Sequence, residues 1–154
     1  MFLSPVNKHL FTDSAQSLGM GAVFETHWFY QQWPSTWWCS QTIVLLELMP
    51  IVVALEVWGE EFRNACVTLH TDNLPLVHII NSQSSTEPLV MILIRRLVLQ
   101  ALKCNFLVQA VHIQGTNNVL CDKLSRLQVK DFRMLFPGAD SEPTPVPPLP
   151  ASLS

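Results

Sequence analysis

Short, mostly apolar runs separated by turns open the chain. His9 to Ser14, Gly19 to Glu25 and Trp28 to Gln32 read as three successive strands, turning near Glu25-Thr26-His27 without an Asn-Gly or Asp-Gly signal. Such a run predicts an antiparallel meander. The period then changes: apolar residues at 48, 51, 52, 55 and 58 fall at helical spacing within Ile43–Phe62. Pro50 fits a helix that begins near Leu45–Glu47, or one kinked at the proline. Glu56, Glu60 and Glu61 read as its solvated face. Ala65 to Thr71 is rich in β-branched residues and reads as a strand ending in Thr71-Asp72-Asn73. Leu74 to Ile80 is a short helix with Pro75 in its first turn. After the polar break at 82–86, Leu89 to Leu102 is a long helix, apolar nearly all round except for Arg95, Arg96 and Gln100. That pattern suits burial with one strip left for a partner. Phe106 to Ile113 is the last strand, and Asn118 is placed to cap a helix over Val119–Leu127. The order β-β-β-α-β-α-α-β-α predicts an α/β fold, a mixed five-stranded sheet flanked by helices.

Composition sets the boundaries. Residues 6–128 hold these elements and form the expected domain, with a short lead-in before them. Residues 129–154 become Pro-rich, with Pro143, Pro145, Pro147, Pro148 and Pro150 near the end, and are expected to be a flexible tail or linker. Between strand and helix, residues 33–41 carry Trp33, Trp37 and Trp38, which are expected to pack under the loop rather than stack on bases. Hydrophobic residues make up 49 % and charged residues 14 % of the chain, a balance that points to partner-facing surface. No apolar run is long and clean enough to span a bilayer, and the first residues lack the pattern of a signal peptide. Cys39, Cys66, Cys104 and Cys121 form no CxxC pair, which argues against zinc and for reduced thiols. An intracellular setting, cytoplasm or nucleus, is expected.

Net charge is −3, which is unusual for a protein that grips nucleic acid alone. The candidate chemistry changes that picture. Asp13 lies on the first strand, Glu47 near the start of the first helix, Asp72 at the end of the fourth strand and Asp122 early in the last helix. Sites in sheets of this kind gather where the carboxyl ends of strands meet helix ends. Four carboxylates brought together repel one another unless cations join them. Two Mg²⁺ or Mn²⁺ ions suit an all-oxygen ligand set and serve phosphodiester hydrolysis. Residues 6–128 carry seven Lys/Arg and nine Asp/Glu, so two divalent ions would turn −2 into +2.

Several motifs then align with a known family. Thr12-Asp13-Ser14-Ala15 with Gly19-Met20-Gly21-Ala22, Leu46-Glu47-Leu48, His70-Thr71-Asp72-Asn73 and the run from Val111 to Arg126 resemble the ribonuclease H domain of retrotransposon reverse transcriptases. The run from Leu46 to Phe62 most resembles DIRS-type elements, which move with a tyrosine recombinase. The resemblance covers about residues 9–136. It implies a ribonuclease H-like fold and hydrolysis of the RNA strand of an RNA–DNA hybrid, leaving a 3′-hydroxyl and a 5′-phosphate. It implies Asp13, Glu47, Asp72 and Asp122 as ligands of two metal ions. His112, ten residues before Asp122, stands where cellular type 1 enzymes place a product-release histidine. A structural hydrogen bond at a strand end is the competing reading of His112. Asn73 and Asn118 are candidates for contacts to the 2′-hydroxyls of RNA, or simple helix caps.

The departures are local. Related elements often have Thr-Asp-Ala-Ser where this chain has Thr12-Asp13-Ser14-Ala15, an aromatic at Met20, and Ala-Asp at Cys121-Asp122. No metal ligand is lost. The basic hybrid-gripping insertion of some cellular enzymes is absent, because 81–102 offers only Arg95 and Arg96. A reverse transcriptase polymerase domain or another protein partner is expected to help hold the hybrid. A domesticated or decayed copy acting as a non-catalytic docking or scaffold domain is the alternative. An integrase or transposase ranks below both, because those sites usually order their acids Asp, Asp, Glu.

Overall fold

The computed structural model describes residues 6–38 and 41–151. Of the lead-in expected over residues 1–7, Val6 and Asn7 already belong to the first strand, and residues 1–5, Cys39 with Ser40, and residues 152–154 lie outside the described residues. Five strands, β1 (Val6–Ser14), β2 (Gly19–Phe24), β3 (His27–Gln32), β4 (Ala65–Thr71) and β5 (Leu107–His112), form one sheet in the order β3-β2-β1-β4-β5. The meander β1-β2-β3 is antiparallel, whereas β4 and β5 join parallel to β1, giving the mixed sheet that the pattern predicts. Parallel neighbours need crossovers, and α1 (Ile43–Val57), α2 (Leu74–Ser82) and α3 (Pro88–Cys104) provide them. The β2–β3 turn is the two-residue loop Glu25-Thr26, with Glu25 in the left-handed region at φ 54°.

One sheet face carries the main core, where Leu10, Phe24, Phe29 and Leu69 meet α1 and α3. Every residue of α1 from Leu45 to Leu55 is buried, so this helix is central rather than amphipathic. Its outer end shows Glu56, paired with Arg96 of α3 at 2.6 Å. α3 keeps Ile92, Leu99 and Leu102 exposed, consistent with the expected outward strip. On the opposite face α4 (Val119–Ser125) and α5 (Val129–Leu135) cover Val23 and Trp28 with Leu124 and Phe132. Close approach requires Gly21: a Cβ there would stand 2.4 Å from Leu124 Cβ. Gly19 serves the neighbouring strand instead, where a Cβ would meet the Gln31 carbonyl oxygen at 2.4 Å.

Two expectations change. α1 begins at Ile43, capped by the Thr42 hydroxyl accepting from Leu45 N at 3.2 Å, so Pro50 lies inside the helix. The helix ends at Val57, and Gly59–Phe62 is a separate 3-10 turn. Residues 129–151 are also not a free tail. They form α5 and then a strap laid across the body, with Thr144 N donating to the Trp28 carbonyl at 2.7 Å and Val146 and Leu149 against the main core. Phe132 explains the first part, since its fully buried ring fills the cluster between α4 and Trp28. Trp33 and Trp37 are buried and stacked as expected, while Trp38 is half-exposed.

Candidate active site

Parallel pairing brings the first two acids together. β1 and β4 run side by side with Phe11 opposite His70, so continuing that register by two residues sets Asp13 beside Asp72. Glu47, the fifth residue of α1, joins them from above the sheet. One carboxylate oxygen from each of Asp13, Glu47 and Asp72 lies within 4.8 Å of the others. Asp13 and Glu47 are buried, at 7 % and 6 % exposure, and Asp72 is more open.

Burying these groups has an electrostatic consequence. Burial pushes the Asp13 carboxyl up to about 7, with the Asp72 charge adding to the rise. Burial also pushes Glu47 up to about 9, followed by the charges of Asp13 and Asp72. The Ser14 amide acts against both shifts by favouring the ionised forms. Among the described residues, Glu47 Oε2 has no hydrogen-bond partner and is buried. An uncompensated acidic group with an orphaned oxygen fits a cation. All donors are hard oxygens, and a Mg²⁺ or Mn²⁺ ion with ligands at roughly 2.1 Å draws opposite oxygens to about 4 Å, close to the observed spread.

Asp122 arrives from the other face on α4. Its carboxylate is not part of the three-oxygen group; it accepts from Arg126 Nε at 3.0 Å. It is nevertheless near enough to raise Asp13. Ser125, which sequence reasoning passed over, links the Asp13 carboxylate to the backbone of α4 at Asp122. Its hydroxyl lies 2.9 Å from the Asp122 carbonyl and 3.4 Å from Asp13 Oδ2. Its position three residues beyond Asp122, on the same side of α4, was the available signal.

The remaining candidates separate. Asn73 caps α2, its Oδ1 accepting from Leu76 N at 2.9 Å, beside Asp72. Asn118 does not cap α4 with its side chain. Its amide is 3 % exposed and donates to the Thr12 carbonyl at 2.8 Å, so it anchors the loop before α4 to β1 next to Asp13. His112 is the exposed last residue of β5, opposite Thr71 and one step from Asp72, and stands outside the carboxylate group. Gly115, in the loop that follows, passes against Asp72; a Cβ there would be 3.5 Å from Oδ2.

Ser14 has a role that the sequence alone did not reveal. Pro50 has no N–H, so the helical bond to the carbonyl of Leu46 cannot form. The Ser14 hydroxyl donates to that carbonyl at 2.6 Å. A strand residue next to Asp13 thereby supplies the donor missing from the helix turn that carries Glu47.

No protein-family model and no curated protein matches the chain. Solved structures do. A ribonuclease H1 isolated from compost, in complex with an RNA/DNA hybrid, superposes with a TM-score of 0.63 at 18 % identity, covering 76 % of this chain and 92 % of that one. The ribonuclease H1 of the archaeon Halobacterium salinarum gives 0.60 at 14 % identity, covering 81 % and 98 %. A foamy viral protease-reverse transcriptase, also with an RNA/DNA hybrid, gives 0.53 at 15 % identity, covering 77 % of this chain and 19 % of that one. At such identities the likeness is one of architecture, and the architecture is that of the ribonuclease H fold.

Proposed function

We propose that this chain is a metal-dependent endoribonuclease that hydrolyses the RNA strand of RNA–DNA hybrids. The observation that carries the reading is the buried Asp13–Glu47–Asp72 group with its orphaned Glu47 oxygen, at the carboxyl ends of two parallel strands. Asp13, Glu47 and Asp72 would hold divalent ions, with Asp122 as the fourth carboxylate. Mg²⁺ or Mn²⁺, when bound there, supplies charge neutralisation and Lewis-acid activation of the scissile phosphodiester.

The chain's own groups prepare that place. Ser14 holds the start of α1 to β1, so Asp13 and Glu47 keep a fixed separation. Ser125 and Asn118 fix β1 against α4 from the other side. Arg126 holds the Asp122 carboxylate in one orientation. His112 and Asn73 flank Asp72 on the open side, where a phosphate or a 2′-hydroxyl would approach; in this reading His112 assists product departure and Asn73 contacts RNA. RNA would be distinguished by hybrid shape and 2′-hydroxyls rather than by base sequence.

A retrotransposon reverse transcriptase, of DIRS type, is the proposed context. The run from Leu46 to Phe62 and the fold shared with a viral reverse transcriptase support it. The apolar outer face of α3, with Leu99 and Leu102, suits docking to a polymerase domain or another protein. No helix among the described residues is long and apolar enough to cross a membrane. Incubating the protein and Mg²⁺ with labelled RNA–DNA hybrid and with duplex DNA tests the proposal. Cleavage of RNA in the hybrid alone is expected; inertness of the folded protein in both Mg²⁺ and Mn²⁺ refutes it and favours the scaffold alternative.

A further inference from the structure

The strap after α5 is held in the manner of a bound peptide. Five of the nine residues from Pro143 to Ala151 are proline. The segment has neither helix nor ladder over 143–150, as expected of polyproline II chain with φ fixed at each ring. Prolines cannot donate hydrogen bonds, so the segment meets the body chiefly through acceptors, and side chains of the body donate to several of them. Trp37 Nε1 donates to the Pro150 carbonyl at 2.9 Å, and Thr36 Oγ1 to the Ala151 carbonyl at 2.5 Å. Trp58 Nε1 donates to Thr144 Oγ1 at 3.2 Å, and upstream Trp28 Nε1 donates to the Asp140 carbonyl at 2.8 Å. Pro147 to Pro150 line one small cleft together with Met49, Val53 and Val57 of α1, beside the Glu56–Arg96 pair, and Leu149 packs against the core.

No residue from 141 to 151 is itself buried, whereas Trp37 and Met49 beneath them are 1 % exposed. The strap thus covers the core from outside, with Val146 and Leu149 packed against it. Indole donors over an apolar floor are the recurring chemistry of polyproline recognition. We propose that the groove formed by Trp37, Trp58 and the Met49–Val53 face of α1 is a polyproline II-binding site, with the chain's own Pro143–Ala151 segment as its built-in occupant. A short tether gives that segment an effective concentration in the millimolar range, so it excludes proline-rich peptides of similar chemistry until it is displaced. The inference does not depend on the hydrolase reading.

The test uses the full chain and a fluorescent peptide with the sequence of residues 140–151. The unaltered chain is expected to bind the peptide weakly. A full-length variant carrying Pro147→Gly, Pro148→Gly and Pro150→Gly, which weakens the tail and leaves the groove intact, is expected to bind it at least about tenfold tighter. Adding Trp37→Phe to that variant removes the indole donor and should cancel most of the gain. Equal binding by the unaltered and triple-glycine chains, equal binding of a scrambled proline-free peptide, or indifference to Trp37→Phe overturns the proposal. Hydrogen exchange of the indole N–H groups in the unaltered chain gives an independent reading. Trp37 should exchange far more slowly than the half-exposed Trp38, and matching rates would contradict an occupied groove.

Discussion

Replacing Ser14 with Ala leaves the Leu46 carbonyl without its side-chain donor, in a helix turn where Pro50 provides no amide of its own. Leu46 is 2 % exposed, so water has little access to the bared oxygen. A buried acceptor left unsatisfied costs about 1–3 kcal/mol. With a urea slope of roughly 1–3 kcal/mol/M for a domain of this size, the midpoint should fall by about 1 M. The mechanism is separable from a general loss of packing. Pro50→Ala restores an amide that can reach Leu46, so in that background Ser14→Ala loses one hydrogen bond without orphaning an acceptor and should cost only about 0.5–1 kcal/mol. The effect of Pro50→Ala itself cancels from the cycle. Urea melts of the parent, both single variants and the double variant give the coupling, expected at about 1 kcal/mol or more. An identical Ser14→Ala cost in both backgrounds would refute the idea that the serine hydroxyl stands in for the missing proline amide.

The acids predict an unusual pH dependence. Asp13 and Glu47 are raised to about 7 and about 9, so the folded, metal-free protein holds protons that the unfolded chain has released. The contribution of these two acids to stability should be greatest below about pH 4 and be lost as pH rises through those values. Urea melts in EDTA at pH 5 and pH 8 check the sign; Mn²⁺ should recover most of the loss at pH 8, and a flat or rising profile in EDTA would contradict the burial argument. Gly21→Ala drives a methyl to 2.4 Å from Leu124 Cβ and 3.1 Å from Ser125 N, so α4 must shift. A cost of about 1–3 kcal/mol by thermal melting is expected, with weaker Mn²⁺ binding by calorimetry because Asp122 and Ser125 move too. Ser125→Ala removes the hydroxyl shared by Asp13 and the Asp122 carbonyl. It should destabilise by about 1 kcal/mol in urea melts and lower Mn²⁺ affinity severalfold; an unchanged titration would show that the serine does not position the acids.

Much of this architecture was legible because periodicity and chemistry agree. The three early strands, the β4 and β5 runs and the α3 run carry their own patterns, and Asp13 and Asp72 stand at the ends of β1 and β4. α1 was harder: burial of every residue from Leu45 to Leu55 erases an amphipathic signature, and Pro50 favours a later start than the Thr42 cap allows. The Ser14 donor compensates for that proline across 32 residues of sequence, a relation invisible to any local rule. It also accounts for a serine standing directly after Asp13. Asn118 misled because its chemistry suits a cap, while the fold turns its amide inward to Thr12. Proline-rich composition at 143–151 pointed to an extended segment, but said nothing of the indole donors and core contacts that hold it in place.

The central claim is that Asp13, Glu47 and Asp72 hold the ions that drive hydrolysis of RNA in a hybrid. The most direct test is end analysis of a labelled hybrid after incubation with Mg²⁺ and either the parent chain or Asp72→Asn. The account predicts RNA fragments with 3′-hydroxyl and 5′-phosphate ends from the parent, and a loss of at least about a hundredfold in rate with Asp72→Asn while the fold persists. Unchanged cleavage by Asp72→Asn, or cleavage that survives EDTA, would contradict it.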